Sequence, residues 1–260
     1  MSRSPLFRQR ARTYSRRFTA VVAAAAVVAA LLAVGGASPT TAISQTDIPG
    51  PAGSGLFGGT VLVLPNGNIV VADPTFDAPG PVADVGAVYL YNGATGALIS
   101  TLTGSTPGDQ VGGGTGGGVN VLANGNFLVR SPSWSAPGPV VAVGAATWCS
   151  GTTGCSGAVS AANSLIGSTV DDQVGNAGAT ALTNGNYVVR SLFWDAPGPV
   201  ADVGAATWCA GTGGCAGAVS SANSLVGPTT TVDLEPVVGE ESPRLQADDW
   251  LTELEGQGNL

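Results

Sequence analysis

Asn124-Gly125-Asn126-Phe127-Leu128-Val129-Arg130-Ser131 is one of three versions of a single phrase, the others being Asn66-Gly67-Asn68-Ile69-Val70-Val71-Ala72-Asp73 and Asn184-Gly185-Asn186-Tyr187-Val188-Val189-Arg190-Ser191. In each, Asn-Gly precedes a run of β-branched, aliphatic or aromatic residues, the pattern of a tight hairpin turn feeding a buried strand. A type I′ turn is expected, because its two central residues must tolerate positive φ. A second landmark, Ala78-Pro79-Gly80-Pro81-Val82, returns at 136–140 and 196–200. Both landmarks advance by 58 and then by 60 residues, so one supersecondary unit is copied three times, each copy burying its apolar face against the next.

Working outward, each copy divides into four short segments rich in Val, Ile, Thr and aromatics. They are 59–64, 68–73, 86–91 and 97–102 in the first copy, then 117–122, 126–131, 144–149 and 155–160, then 177–182, 186–191, 204–209 and 215–220. Twelve strands in three groups of four are expected. The second and third strands of each group are joined by a Pro- and Gly-bearing surface loop, 74–85 in the first copy. No helical period occurs between 43 and 228, and regularly spaced Val, Trp, Tyr and Phe favour an ordered all-β chain over a disordered Gly-rich one.

The ends read differently. Six of the nine arginines precede an apolar run over 20–34, which is followed by small residues, so 1–42 is expected to be a secretory signal peptide cleaved after Ala37 or Ala42. The run is short for a membrane span, and no span is expected once the signal is removed. What remains has three arginines, no lysine and all seventeen acids. Nucleic acid and anionic lipid both demand a cationic surface, so neither is an expected partner. Residues 43–54 read as a linker, the three repeats span 55–112, 113–175 and 176–227, and 228–260 reads as an acidic tail, mostly disordered. One short helix around 248–255, docking through Trp250, Leu251 and Leu254, is the competing reading of that tail.

The four cysteines repeat one pattern, Trp148-Cys149-x5-Cys155 and Trp208-Cys209-x5-Cys215, around Gly- and Thr-rich turns. In an exported chain this predicts two hairpin disulfides, Cys149 with Cys155 and Cys209 with Cys215. A four-cysteine zinc site is the rival, disfavoured by the five-residue spacing and the absence of His.

Phe57-Gly58-Gly59-Thr60-Val61, Asn68-Ile69-Val70-Val71-Ala72-Asp73-Pro74 and Val85-Gly86-Ala87-Val88-Tyr89-Leu90-Tyr91 together resemble an FG-GAP repeat, the blade of integrin-type β-propellers. Copies two and three more closely resemble repeat modules of unknown function in large haemagglutinin-like exported bacterial proteins. The resemblance covers 55–227 and implies four-stranded, propeller-like blades. It does not bring the family's calcium loop, because the matching place, Pro65-Asn66-Gly67-Asn68, has no carboxylate. Closed propellers typically use four to eight blades. With three, the expectation is an incomplete propeller, completed by self-association into a homo-oligomer or covered at its ends by 43–54 and the tail.

Few residues carry chemistry. Asp77 and Asp84 of copy one match Asp195 and Asp202 of copy three, while copy two has Ser135 and Ala142. These four acids are candidate calcium ligands or else solvated loop acids. Asp109-Gln110-Val111-Gly112 and Asp172-Gln173-Val174-Gly175 read as turns in which the Asp satisfies backbone amides. Arg130 and Arg190 should meet a carboxylate or carbonyl, and Trp134, Trp148, Trp194 and Trp208 should pack between blades rather than stack on sugars. Without His or Lys there is no Ser-His-Asp, Cys-His or Schiff-base chemistry. The expected function is a secreted or bacterial cell-surface adhesion or scaffold module, non-enzymatic and without a cofactor, binding an unidentified protein or glycan. A calcium-stabilised binding module and a carboxylate-based hydrolase are the alternatives.

Overall fold

The computed structural model describes Gln45 and residues 47–228 apart from Pro81 and Pro199, so the expected signal peptide and nearly all of the acidic tail lie outside the described residues. These residues are all-β, with no helix among them. In copy one, β1 (Thr60–Val63), β2 (Ile69–Asp73), β3 (Ala87–Tyr91) and β4 (Leu98–Thr103) form an antiparallel meander. Copy two supplies β5 (Val119–Val121), β6 (Phe127–Ser131), β7 (Ala145–Cys149), a two-residue β8 (Gly157–Ala158) and β9 (Ser164–Ile166). Copy three repeats this with β10 (Ala179–Ala181), β11 (Tyr187–Ser191), β12 (Ala205–Cys209), β13 (Gly217–Ala218) and β14 (Leu225–Val226).

The fourth strand of copies two and three is not where the sequence reading put it. Residues 155–160 and 215–220 do not pair with their own third strands; β9 and β14 do, eight or so residues later. Instead, β8 leaves its own blade and adds in parallel to β4 of the first, and β13 adds in parallel to β9 of the second. The sheet orders are therefore β1-β2-β3-β4-β8, β5-β6-β7-β9-β13 and β10-β11-β12-β14. The physical reason lies in length: copies two and three carry extra residues between turn and closing strand, and these loop back through an Asn163 or Asn223 turn in which the side chain accepts from Ser160 or Ser220 N at 2.9 Å. Copy one lacks the insertion and passes straight from its turn into β4.

The Asn-Gly turns also differ from the expected type. Gly67 N donates to Leu64 O at 2.8 Å, Leu64 N donates to Asn68 O at 2.8 Å, and Gly67 has φ 85°. Only the glycine is left-handed, which is a type I turn closed by a glycine bulge in a three-residue loop rather than a type I′ turn. Gly125 and Gly185 repeat it, with φ 83° and 90°. Pro65 fits, since the second turn position favours its fixed φ.

The apolar cores lie between sheets. Leu64, Val70, Val88, Leu90 and Leu102 of the first blade meet Phe127, Val129, Trp134, Val143 and Val159 of the second. Leu122, Leu128, Ala146 and Leu165 of the second meet Tyr187, Val189, Trp194, Ala205 and Val219 of the third. The front of the first blade, Val71, Ala87, Tyr89 and Tyr91, is covered by Ile48, Phe57 and Phe76, with Phe57 edge-on to Tyr89 at 5.6 Å. The segment expected to be a linker therefore serves as a cap.

Candidate functional site: the seams between blades

Each seam is organised around one glycine carbonyl. The Cys149-Ser150-Gly151 turn lies so close against the Asn-Gly turn of its own blade that a Cβ on Gly151 would lie 2.0 Å from Gly125 O, and Gly211 is held the same way at 1.7 Å from Gly185 O. That leaves the carbonyl of each turn facing the preceding blade. Gly151 O accepts from Asn66 Nδ2 at 2.8 Å and Asn68 Nδ2 at 2.9 Å. Gly211 O accepts from Asn124 Nδ2 at 2.8 Å, Asn126 Nδ2 at 2.9 Å and Trp148 Nε1 at 2.8 Å. Sequence reasoning assigned Asn-Gly-Asn to hairpins alone. The signal it passed over is the second asparagine, which a turn does not need, yet which recurs in all three copies.

The buried aspartates latch the blades. Asp172 Oδ2 accepts from Ser168 N at 2.7 Å and Thr169 N at 2.8 Å within its own turn, as expected, and Oδ1 accepts from Asp195 N of the next blade at 2.9 Å. Asp109 does the same with Ser105, Thr106 and Ser135. At the front of the first blade, Gly53 O accepts from the matching amide of Asp77 at 2.8 Å and Asp73 Oδ1 accepts from Leu56 N at 2.8 Å. The front cap thus reproduces the polar as well as the apolar part of a seam.

Arg130 is 3% exposed and reaches only neutral acceptors: Asn120 Oδ1 at 2.8 Å, Thr115 O at 2.8 Å and Gly175 O at 3.1 Å. Burial, and then the nearby Arg190, hold its pKa below the usual guanidinium value. Arg190 keeps the Ala177 carbonyl at 2.7 Å, and its buried Nε has no partner because Thr180 stands where copy two has Asn120. Of the two partner types expected, the arginines take carbonyls.

The loop acids are not gathered into a cluster. Asp77 Oδ1 accepts from Asp84 N at 2.8 Å and Asp195 Oδ1 from Asp202 N at 2.7 Å, and in copy two Ser135 Oγ does this for Ala142 N at 3.2 Å. The residue receiving that support has φ 53°, 54° and 50° in the three loops. A hydroxyl therefore performs the same loop closure as a carboxylate, and no group of three or more Cys, Asp or Glu is close enough to share a metal ion among the described residues. Asp77→Ser and Asp195→Ser are expected to change stability by under about 0.5 kcal/mol, with a melting temperature indifferent to calcium or chelator. A calorimetric melt in both media checks this; a calcium-dependent rise lost on either replacement would select the calcium-ligand reading.

Trp134 and Trp194 are buried in the two inter-blade cores, Trp148 is partly covered, and Trp208 stands 42% exposed on the outer face of the third blade. Tyr187 is buried beside the Cys215 backbone, and burial pushes its hydroxyl up to about 12, against a weaker opposing hydrogen bond. A raised folded pKa stabilises below the unfolded value of about 10 and loses that contribution as pH climbs through the folded one. Denaturation midpoints should therefore fall above about pH 10, and the fall should be shallower in Tyr187→Phe.

Cys149–Cys155 and Cys209–Cys215 are disulfide-bonded, with Cα atoms 4.9 and 5.4 Å apart. Copy one builds the same turn without cysteine, because Asn92 Oδ1 accepts from Ala94 and Thr95 N, both at 3.0 Å. Ser150 does so more weakly in copy two at 3.2 Å, and Ala210 has no side-chain acceptor at all. Replacing both cysteines by Ala should cost about 2 kcal/mol, and more at 209/215 than at 149/155, by urea denaturation. Equal losses would show that turn bonding does not share the load.

A profile of the repeat of unknown function DUF5650 matches residues 63–113, 121–176 and 181–234. The chain belongs to the DUF5650 repeat family. Each match takes in the second, third and closing strands of one blade but only the last residue of its first strand, and the second and third matches also contain β8 and β13, which add to the preceding sheet. No curated protein matches the chain. The two cystines point to an oxidising, extracellular setting for this DUF5650 protein, and no helix among its described residues is long and apolar enough to cross a membrane.

Proposed function

We propose that this chain is an exported, non-catalytic repeat module that acts by surface contact, as an adhesion or scaffold element at or beyond the bacterial cell surface. The observation that carries the reading is how the buried charges are used. Asp109 and Asp172 accept from backbone amides of a seam through both carboxylate oxygens, Asp73 accepts from the cap through Oδ1, and Arg130 donates to a seam carbonyl. Groups occupied in this way hold blades together and are poorly placed to act on a substrate. The signal-like leader, the cystines and the resemblance of copy one to FG-GAP blades support the same reading, and the resemblance further suggests a propeller-type arrangement.

Binding of the purified exported chain to glycan and host-matrix arrays, with and without calcium, tests the proposal. Saturable binding in both media is expected. Binding confined to the calcium arm would replace it with a calcium-stabilised module using Asp77, Asp84, Asp195 or Asp202. Turnover of glycosidic or ester substrates, abolished by one Asp replacement, would replace it with a hydrolase.

A further inference from the structure

The outer face of the third blade retains the asparagine pair, the tryptophan and the closing edge strand by which the second blade receives the third, and nothing among the described residues uses them. Asn184 and Asn186 match Asn124 and Asn126, whose Nδ2 groups both meet Gly211 O. Their Oδ1 atoms are engaged in the usual way, by Asn186 N and Gly211 N, both at 3.0 Å, while their Nδ2 groups find no acceptor among the described residues. Trp208 matches Trp148, whose indole N–H donates to the same carbonyl. Leu225, 39% exposed on β14, matches Leu165, which is 1% exposed beneath the arm of the third blade. Between Val188, Ala206, Trp208, Ala222 and Leu225 lies a shallow hollow of about 300 Å³.

The two built seams show what fills such a face. A cystine-closed turn presents a glycine carbonyl to the asparagines, and the Gly-Ala-Val that follows adds to the edge strand. Val159 N donates to Thr103 O at 3.0 Å and Val219 N to Ile166 O at 2.9 Å, and both valines are 3% exposed against the receiving blade. The third blade offers β14 as the corresponding edge, with donors lacking acceptors, the complement of an outward-facing carbonyl.

We propose that this face is a socket for another repeat of the same kind, carried by a separate polypeptide, and that the partner engages through a cystine-closed turn and its Gly-Ala-Val arm. The recognition mode is strand addition fixed in register by side-chain bonds to one carbonyl. A second copy of this chain is a poor occupant. Its first blade has no Gly-Ala-Val insertion, and its front is covered by Ile48, Phe57 and the Leu56–Asp73 bond. Its second and third blades have their arms engaged already. The proposal rests on the chain being a contact module and names one contact.

The test uses the oxidised synthetic peptide of residues 208–220 as probe and the full exported chain as receptor. Saturable binding by calorimetry is expected, weakened at least tenfold by Trp208→Arg or Leu225→Arg in the chain. Changing the peptide valine to Asp should weaken it equally, a control that does not depend on the receptor's folding. No binding of the peptide overturns the proposal. So does amide-exchange protection of β14 together with 229–260 in the free chain, which would make the chain's own tail the occupant. A dimer dissolved by Trp208→Arg overturns it as well, by assigning the face to a second copy. The arrays described above are read independently, so a ligand found there with no peptide binding sinks the socket and leaves the contact module standing.

Discussion

Replacing Arg130 with Met is expected to destabilise the chain by about 3 kcal/mol, whereas Arg190→Met should cost about 1 kcal/mol or less. The two arginines occupy the same strand position, so propensity and side-chain volume cancel in the comparison. What differs is the acceptor set. Arg130 satisfies Asn120 Oδ1 and the carbonyls of Thr115 and Gly175, all of which lose their donor together in the variant. Hydrogen bonds to a charged donor contribute roughly 1.5–3 kcal/mol each. Part of that gross loss is recovered, because the cation is buried without a carboxylate and is repelled by Arg190. Arg190 has a single carbonyl partner and an unsatisfied Nε, so little is forfeited when it goes. Urea midpoints of the two variants at equal ionic strength measure the difference. Equal losses would mean that the seam between the second and third blades does not depend on the guanidinium.

Asp172→Ala should cost about 3 kcal/mol, since three backbone amides lose their acceptor at once, although Ser168 and Thr169 stand at exposed positions where water recovers part of the loss. The loss should be local as well as large. Ser168 and Thr169 lie within the turn, whereas Asp195 lies in the next blade, so amide exchange should accelerate at Asp195 and through the third blade while the first remains protected. Asp172→Asn retains one carbonyl oxygen and is expected to recover roughly half of the stability. A uniform acceleration over all three blades would contradict a seam-by-seam fold and point to one cooperative unit.

The repeat, its strands and its cystines were readable because they are local: a turn, a period of two and a cysteine pair each fit within about fifteen residues. The seams were not, because their partners lie 23–87 residues apart and are chosen by packing. Gly157–Ala158 and Gly217–Ala218 illustrate the limit. Two small residues have no period and low strand propensity, and nothing around them names a receiving strand in the previous copy. The Asp109 and Asp172 turns were half legible, since capping their own amides is a familiar local habit and the bond across to Ser135 or Asp195 is not. The loop acids left two readings open, calcium ligands or solvated loop acids, for a related reason. Asp77, Asp195 and Ser135 close equivalent loops with different chemistry, a substitution that a comparison of the three copies by residue type alone does not interpret.

The parallel arms give the chain a direction. A chain made from its amino terminus produces the first sheet before anything exists to cover its far edge, yet its near side can close at once on residues 47–57. Each later unit then completes its predecessor while leaving its own border for whatever comes after. Maturation can therefore advance only one way, like a row of slates in which each course holds down the one before.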